Sequence, residues 1–353
     1  MNIGIVGGGI NGLCCAWHLV GQGHQVRLYE KNKLMEATSR ASSKLLHGGL
    51  RYLENGEFRL VRESLRERDA WIQRAPQLAK PLRLVMPIFE GARRSRWLVQ
   101  AGLFLYDQLA GKSALPGAKW VTSQELINVD PFLNPRGLTG GFEFSDGQMD
   151  DYRLGLWVAE QAKAQGIEVT ECAEVTCVDT EGRITTADGV TNVHDRIVNT
   201  AGPWAARLLE RSGVRSDYRL DLVRGSHLVL ERATRTAYLL EVPGERRIFF
   251  VLPWQGKTLV GTTEVRQSID DSIECSDSER DYLLSAYKFY WPDTQPVVSN
   301  VYAGVRPLLH SADDPGKATR EYAIQRTGRL ITVLGGKWTT AMALAKKVAS
   351  TLH

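Results

Sequence analysis

The chain has 353 residues, 43% hydrophobic and 24% charged, an ordinary globular balance that excludes a disordered, collagenous or disulfide-stapled protein. At roughly 150 residues per domain, this length predicts two domains. The 44 lysines and arginines against 40 acidic residues leave a net charge of +4, too small and too dispersed for a nucleic-acid binder but compatible with a small anionic ligand.

Residues 2–7 read as a short buried strand, 10–20 as a helix and 24–30 as an alternating second strand, which is one βαβ opening. The chain enters this unit at once, with no basic segment, apolar stretch and cleavage site before it, so no signal peptide is expected. No run of about 18 apolar residues predicts a membrane span. Residues 57–74 form a charged amphipathic helix, 83–90 a strand, and 93–109 a helix that is basic first and apolar after. Residues 137–150 are glycine-rich and extended, and 151–165 make a helix ended by Gly166. Short β segments follow at 167–170, 175–179, 183–186 and 196–200. The longer strands at 220–231, 247–253 and 257–265, with tight turns between them, predict an antiparallel sheet. A helix over 278–291, a strand over 297–306 and a strand over 329–334 lead into Gly335-Gly336 and a last helix over 339–352. Five cysteines (Cys14, Cys15, Cys172, Cys177 and Cys275) are odd in number and lack metal-ligand spacing. They read as reduced thiols of a cytosolic protein.

The βαβ character lies at the start, middle and end, with the antiparallel strands between. The expected class is therefore α/β (α+β): a discontinuous Rossmann-like dinucleotide-binding domain (1–75, 145–215 and 310–353) interleaved with an antiparallel-sheet substrate-binding domain (76–144 and 216–309).

Gly7, Gly9 and Gly12 satisfy G-x-G-x-x-G, after a strand, opening a helix and ahead of Glu30 at the end of the next strand. Gly7 permits the tight turn, Gly9 lets the backbone approach a pyrophosphate, and Gly12 lets helix and strand pack closely. The helix N-terminus offers N–H groups to phosphate, and Glu30 can accept from ribose hydroxyls. Beyond Glu30 the chain leaves the regular βα pattern for the polar loop 37–43. It returns to a glycine turn only at Gly335-Gly336. Two glycine turns, each opening a helix at opposite ends of the chain, can bracket one long cofactor, which favours FAD over NAD.

Here the residues resemble the FAD-dependent glycerol-3-phosphate dehydrogenase family of the D-amino-acid-oxidase-like superfamily. The resemblance rests on IVGGGINGL (5–13), ATSRASSKLLHGGLRYLE (37–54), GLFLYDQLAG (102–111), DDYRL (150–154), NTAGPW (199–204), RGSHLVL (224–230), VGTTEV (260–265), AGVRPL (303–308), TREY (319–322) and GGKWTT (335–340), in family order. Longer members continue into a helical C-terminal domain, whereas this chain stops just after the helix expected to face the cofactor. Trp338 stands where the family often has leucine, and Glu264 where aspartate is common.

The resemblance implies that Asn11, Thr38, Ser39, Ser42, Ser43 and Lys44 line FAD together with the glycine turn and Glu30. It implies that His47, Gly48 and Gly49 pass close to the isoalloxazine ring, that Val175 offers backbone to adenine, and that Gly202 approaches the cofactor. Gly336, Lys337 and Thr339, at the last helix N-terminus, would favour negative charge on the flavin. It implies oxidation of sn-glycerol 3-phosphate to dihydroxyacetone phosphate, with hydride passing from C2 to flavin N5 and electrons on to a quinone or other acceptor at a membrane face. Arg51, Tyr52, Thr263 and Arg320 are the expected substrate ligands, arginine being suited to phosphate by its planar fork. His47 and His227 compete as general base, and Arg306 and Lys337 would stabilise developing alkoxide charge. The segment Arg93 to Leu98, with Leu103 to Leu105, is a candidate contact for anionic lipid. Two other readings stay open: a flavin oxidase of the same superfamily acting on an amino acid or 2-hydroxy acid, and a flavoprotein partner without turnover.

Overall fold

A computed structural model describes residues 1–310 and 322–352. Its first sheet has six strands in the order Tyr322–Thr327, Leu330–Gly335, Arg196–Asn199, Asn2–Val6, Gln25–Tyr29 and Glu168–Thr170. The pairings are parallel except the edge pair Tyr322–Thr327 with Leu330–Gly335. Strands from the beginning, middle and end of the chain thus lie side by side. The central strand carries Ile3 and Ile5, both fully buried, as a strand covered on both faces must. Helices Ile10–Val20, Asp151–Ala164 and Ala341–Ser350 supply the apolar stripe that covers one face through Leu13, Leu154, Leu344 and Val348. A small antiparallel sheet, Val175–Val178, Arg183–Thr186 and Thr191–Val193, adds Val175, Val178 and Ile184 to a second cluster with Val6, Tyr29 and Ile197.

The second large sheet has ten strands. Its spine runs through Leu220–Leu230, Lys257–Gly261, Ile248–Trp254, Ala237–Glu241, Ala79–Phe89 and Leu138–Met149. Val298–Leu309 pairs antiparallel along almost the whole of Leu220–Leu230. A short parallel seam, Ala237–Tyr238 against Leu84–Val85, joins two otherwise antiparallel halves. Two sequence stretches far apart in the chain therefore make one curved surface.

Several elements depart from the sequence reading. The strand expected over 257–265 stops at Gly261, and Val265–Arg266 forms a separate short strand. The reason is Thr263, whose hydroxyl donates to Glu279 at 2.6 Å and accepts the Ser226 N–H at 2.9 Å, pulling the chain out of the ladder. The strands Ala237–Glu241 and Tyr322–Thr327 and the helices Ser123–Val129 and Ala205–Arg211 were not anticipated. For Ser123–Val129 the signal was present, since Thr122 and Glu125 form a capping box.

Candidate active site

A cleft of about 490 Å³ runs from the carboxyl ends of the parallel strands, at Val6 and Thr200, to the inner face of the large sheet at Gly225, His227, Gly304 and Arg306. Ligands in open α/β sheets bind at that end of the strands.

At the parallel-sheet end, side chains are excluded by geometry. Gly7 has φ +103°, and a Cβ there would lie 2.6 Å from the Thr200 carbonyl oxygen; one on Gly12 would collide with the Gly7 carbonyl oxygen. Gly12 therefore sits behind the wall, while Gly7, Gly9 and Asn11 line the cleft. The Glu30 carboxylate accepts the Gly8 N–H at 2.6 Å and the Asn32 N–H at 2.9 Å, which holds it at the rim. Ser39 Oγ accepts the Ile10 N–H at 3.0 Å, so the polar loop caps the first helix across 29 residues of chain. Asn11 Oδ1 is buried without a partner among the described residues, a polar atom that a bound ligand would satisfy. Thr38, Ser39, Ser42, Ser43, Val175, Gly202, Gly336, Lys337 and Thr339 also face this cleft. Glycine-floored backbone, a helix N-terminus and an acidic rim fit a long dinucleotide such as FAD.

Lys44 requires a correction. Its ammonium turns away from the cofactor wall and pairs with Asp151 at 2.7 and 2.9 Å, while donating to the Arg40 carbonyl at 2.6 Å. Ser42 donates to the same carboxylate through Oγ at 2.7 Å and N–H at 3.1 Å. Burial pushes the Asp151 carboxyl up, and Lys44 and Ser42 oppose that shift. Lys44 thus fixes the loop from behind.

Gly48 and Gly49 are likewise off the wall. The Gly48 N–H donates to Tyr106 Oη at 2.8 Å and to Asp146 Oδ1 at 3.3 Å. Tyr106 and the buried Arg68 both donate to that carboxylate, at 2.8 and 3.1 Å. This network sets His47, whose N–H donates to Thr339 Oγ1 at 3.4 Å. The His47 ring lies 6.4 Å from that of Tyr52, and the Lys337 ammonium lies 4.5 Å over the Tyr52 ring. His47, Tyr52, Lys337 and Thr339 thus form one group on the cleft wall.

The second group hangs from the large sheet. His227, 3% exposed, has its Nε2 2.8 Å from Ser43 Oγ and stacks on Tyr302 with centroids 4.7 Å apart. Burial, then Lys44 and Arg306, push its pKa down to about 3, so the ring is neutral at ordinary pH. Arg306 donates to the Thr263 carbonyl at 3.0 Å and pairs with Glu264 at 3.8 Å; Glu264 is also 3.6 Å from Arg247.

Two expected substrate ligands stand apart from this arrangement. The Thr263 hydroxyl is committed to Glu279 and Ser226, and it is Thr262 that lines the cleft. Burial favours the neutral Glu279 carboxyl, but donors from Thr263, Ser226, Arg224 and Ser276 hold its pKa at about 2. Arg51, on the 3-10 segment Leu50–Asn55, does not line the cleft. Arg320 lies outside the described residues. Sequence reasoning gave no role to Asp151, Asp146, Glu279 and Tyr302, which act through other residues, although Asp151 lies in DDYRL and Glu279 closes a capping box with Ser276.

The family model for FAD dependent oxidoreductases matches residues 2–351. A glycerol-3-phosphate dehydrogenase of Pseudomonas aeruginosa is 36% identical over all of this chain, which spans 71% of that protein. A D-erythritol 1-phosphate dehydrogenase of Brucella abortus is 36% identical over 97% of this chain and 72% of its own. The crystal structure of the glycerol-3-phosphate dehydrogenase from Bacillus halodurans complexed with FAD superposes with a TM-score of 0.80 at 25% identity, covering 100% of this chain and 64% of that one.

Proposed function

From the premise that this chain belongs to the FAD dependent oxidoreductase family, we propose that it oxidises the secondary alcohol of sn-glycerol 3-phosphate to dihydroxyacetone phosphate. FAD, when bound, supplies the two-electron acceptor for the hydride that leaves C2. The observation that carries the reading is the gathering of two cations, Arg306 and Lys337, with Tyr52, His47 and His227 on one glycine-floored cleft. A phosphate dianion needs fixed cations, and a carbinol needs a neutral acceptor for its proton.

His227 meets the second need. Its ring is unprotonated, oriented by Ser43 and stacked on Tyr302. The anionic substrate would offset Lys44 and Arg306, raising the ring's basicity when the proton must move. Arg306, held by Glu264 and the Thr263 carbonyl, orients the phosphate or the developing alkoxide. Lys337, over Tyr52, adds charge from the opposite wall. The direct test is anaerobic bleaching of the bound flavin by glycerol 3-phosphate, beside erythritol 1-phosphate, glycerol and lactate. Bleaching by lactate but by neither phosphate would overturn the reading in favour of a carboxylate substrate.

Quinone is the acceptor that this reading assigns, reached at a lipid surface. The helix Arg96–Ala110 buries Val99, Leu103 and Tyr106 but exposes Trp97 (74%), Leu98, Phe104 (65%) and Leu105. Arg93 and Arg96 flank its start. An apolar face beside cations suits anionic headgroups, and no helix among the described residues is long and apolar enough to cross a membrane. Co-sedimentation with anionic vesicles at low salt, lost in Trp97→Ser/Phe104→Ser, is the expected result; absence of binding by the native chain would remove the membrane from the proposal.

A further inference from the structure

The glycine turn that closes the cleft is followed by an indole. Gly335 and Gly336 have φ +88° and +97°, so this backbone has unusual freedom and would be costly to order on its own. Trp338 supplies the missing restraint. Its Nε1–H donates to the Ser39 carbonyl at 3.0 Å, 299 residues away in the chain. Its ring packs edge-on against buried Trp71, centroids 5.4 Å apart, and Trp71 Nε1 donates to the Thr339 carbonyl at 3.1 Å. The loop that receives the bond is itself tied down twice: Ser39 Oγ caps the first helix, and Thr38 Oγ1 donates to the Val305 carbonyl at 2.8 Å. Ser39, Trp338 and both glycines line the cleft.

We propose that Trp338 is a positioning residue for the cofactor, a cross-tie that joins the loop at residues 38–40 to the turn at 335–339 and so closes the polypeptide around FAD. A leucine there fills space but offers no donor, leaving the Ser39 carbonyl without this partner and the two cofactor-lining segments free to part. The bond pre-pays the ordering of a two-glycine turn, which is how preorganisation raises affinity. The inference rests on FAD binding and not on the choice of substrate.

The experiment is release of FAD from the holoprotein, followed by the rise of free-flavin fluorescence on dilution, for the native chain, Trp338→Phe and Trp338→Leu. Loss of one neutral hydrogen bond should speed release at least about fivefold in both variants, while the apoprotein's unfolding midpoint, which also senses the lost packing on Trp71, should fall further in Trp338→Leu than in Trp338→Phe. A native release rate in Trp338→Phe, or acceleration in Trp338→Leu alone, would overturn the cross-tie in favour of simple ring packing. Should Trp338→Phe fail to fold, hydrogen exchange at the Trp338 indole N–H of the native chain decides. Linkage requires slower exchange with FAD bound than without, and equal rates would refute the proposal. Failure of glycerol 3-phosphate to bleach the flavin would leave all of these outcomes unaffected.

Discussion

The two walls of the cleft are built by different means. The wall at the parallel sheet is made of backbone: a turn whose shape depends on missing side chains, a helix end and a hydroxyl loop, contributed by short contiguous stretches. The wall at the large sheet is made of side chains, each aimed by partners from other segments of the chain. His227 depends on Ser43 and Tyr302; Arg306 depends on Glu264 and the Thr263 carbonyl. A backbone site tolerates little and is written locally. A side-chain site is adjustable and is written in register, because Leu220–Leu230 meets Val298–Leu309 and Lys257–Gly261 only after folding.

The largest expected effect tests the backbone wall. Gly12→Val would drive a branched side chain into the Gly7 carbonyl at the crossing of helix and strand. We expect a colourless protein, unfolded or unable to take up FAD, judged by circular dichroism and by absorbance after reconstitution. A yellow, folded variant would break the comparison, since it would show that the glycine cradle is not a steric requirement.

Next in size is Arg306→Ala, which tests the side-chain wall. Turnover of glycerol 3-phosphate should fall by roughly 100-fold or more, the scale of losing a preorganised charge, while the flavin stays bound. Undiminished turnover would remove Arg306 from the site. Loss of flavin along with activity would mean that the two walls are not separable in the way described.

This contrast also explains what was legible in the sequence. The opening strands Asn2–Val6 and Gln25–Tyr29, the first helix and the glycine turn between them could be read because their pattern is local: period, turn and spacing lie within about 30 residues of one another. The resemblance sets Lys44 among the cofactor ligands, yet Asp151, 107 residues on, claims its ammonium. Thr263 is an expected substrate ligand, yet Glu279, 16 residues on in the first turn of the next helix, holds its hydroxyl. The spacing of Ser276 and Glu279 announces a helix start but not this second partner. The break in the strand after Gly261 was invisible for the same reason, since its cause is that tertiary hydrogen bond.

A third, smaller effect concerns the supports behind the wall. Asp151→Asn leaves Lys44 buried beside a neutral amide, and breaking a buried pair in this way costs about 3–5 kcal/mol. Denaturant unfolding should show that loss. Asp151→Asn combined with Lys44→Met should recover much of it, because the uncompensated charge is gone. Equal destabilisation in single and double variants would show that the Ser42 bonds, and not the ion pair, carry the loop.

The smallest expected effect is on pH dependence. His227 has its folded pKa depressed to about 3 from an ordinary 6.5. Between those values the unfolded chain holds a proton that the folded chain refuses, so stability must fall as pH drops below about 6.5. Glu279, depressed to about 2, adds its own loss only below its ordinary value near 4.5. Burial raises Asp146 and Asp151, which act in the opposite sense, while His194 is lowered and acts with His227. The informative quantity is therefore the difference between the native chain and His227→Gln, which keeps a polar group toward Ser43 and cannot titrate. From pH 6.5 to 4.5 the variant's stability should fall less steeply, by up to about 1.4 kcal/mol per pH unit. Parallel curves would mean that His227 takes up a proton as readily in the folded protein as in water, and a ring that accessible to charge would not be sealed between Tyr302 and the large sheet.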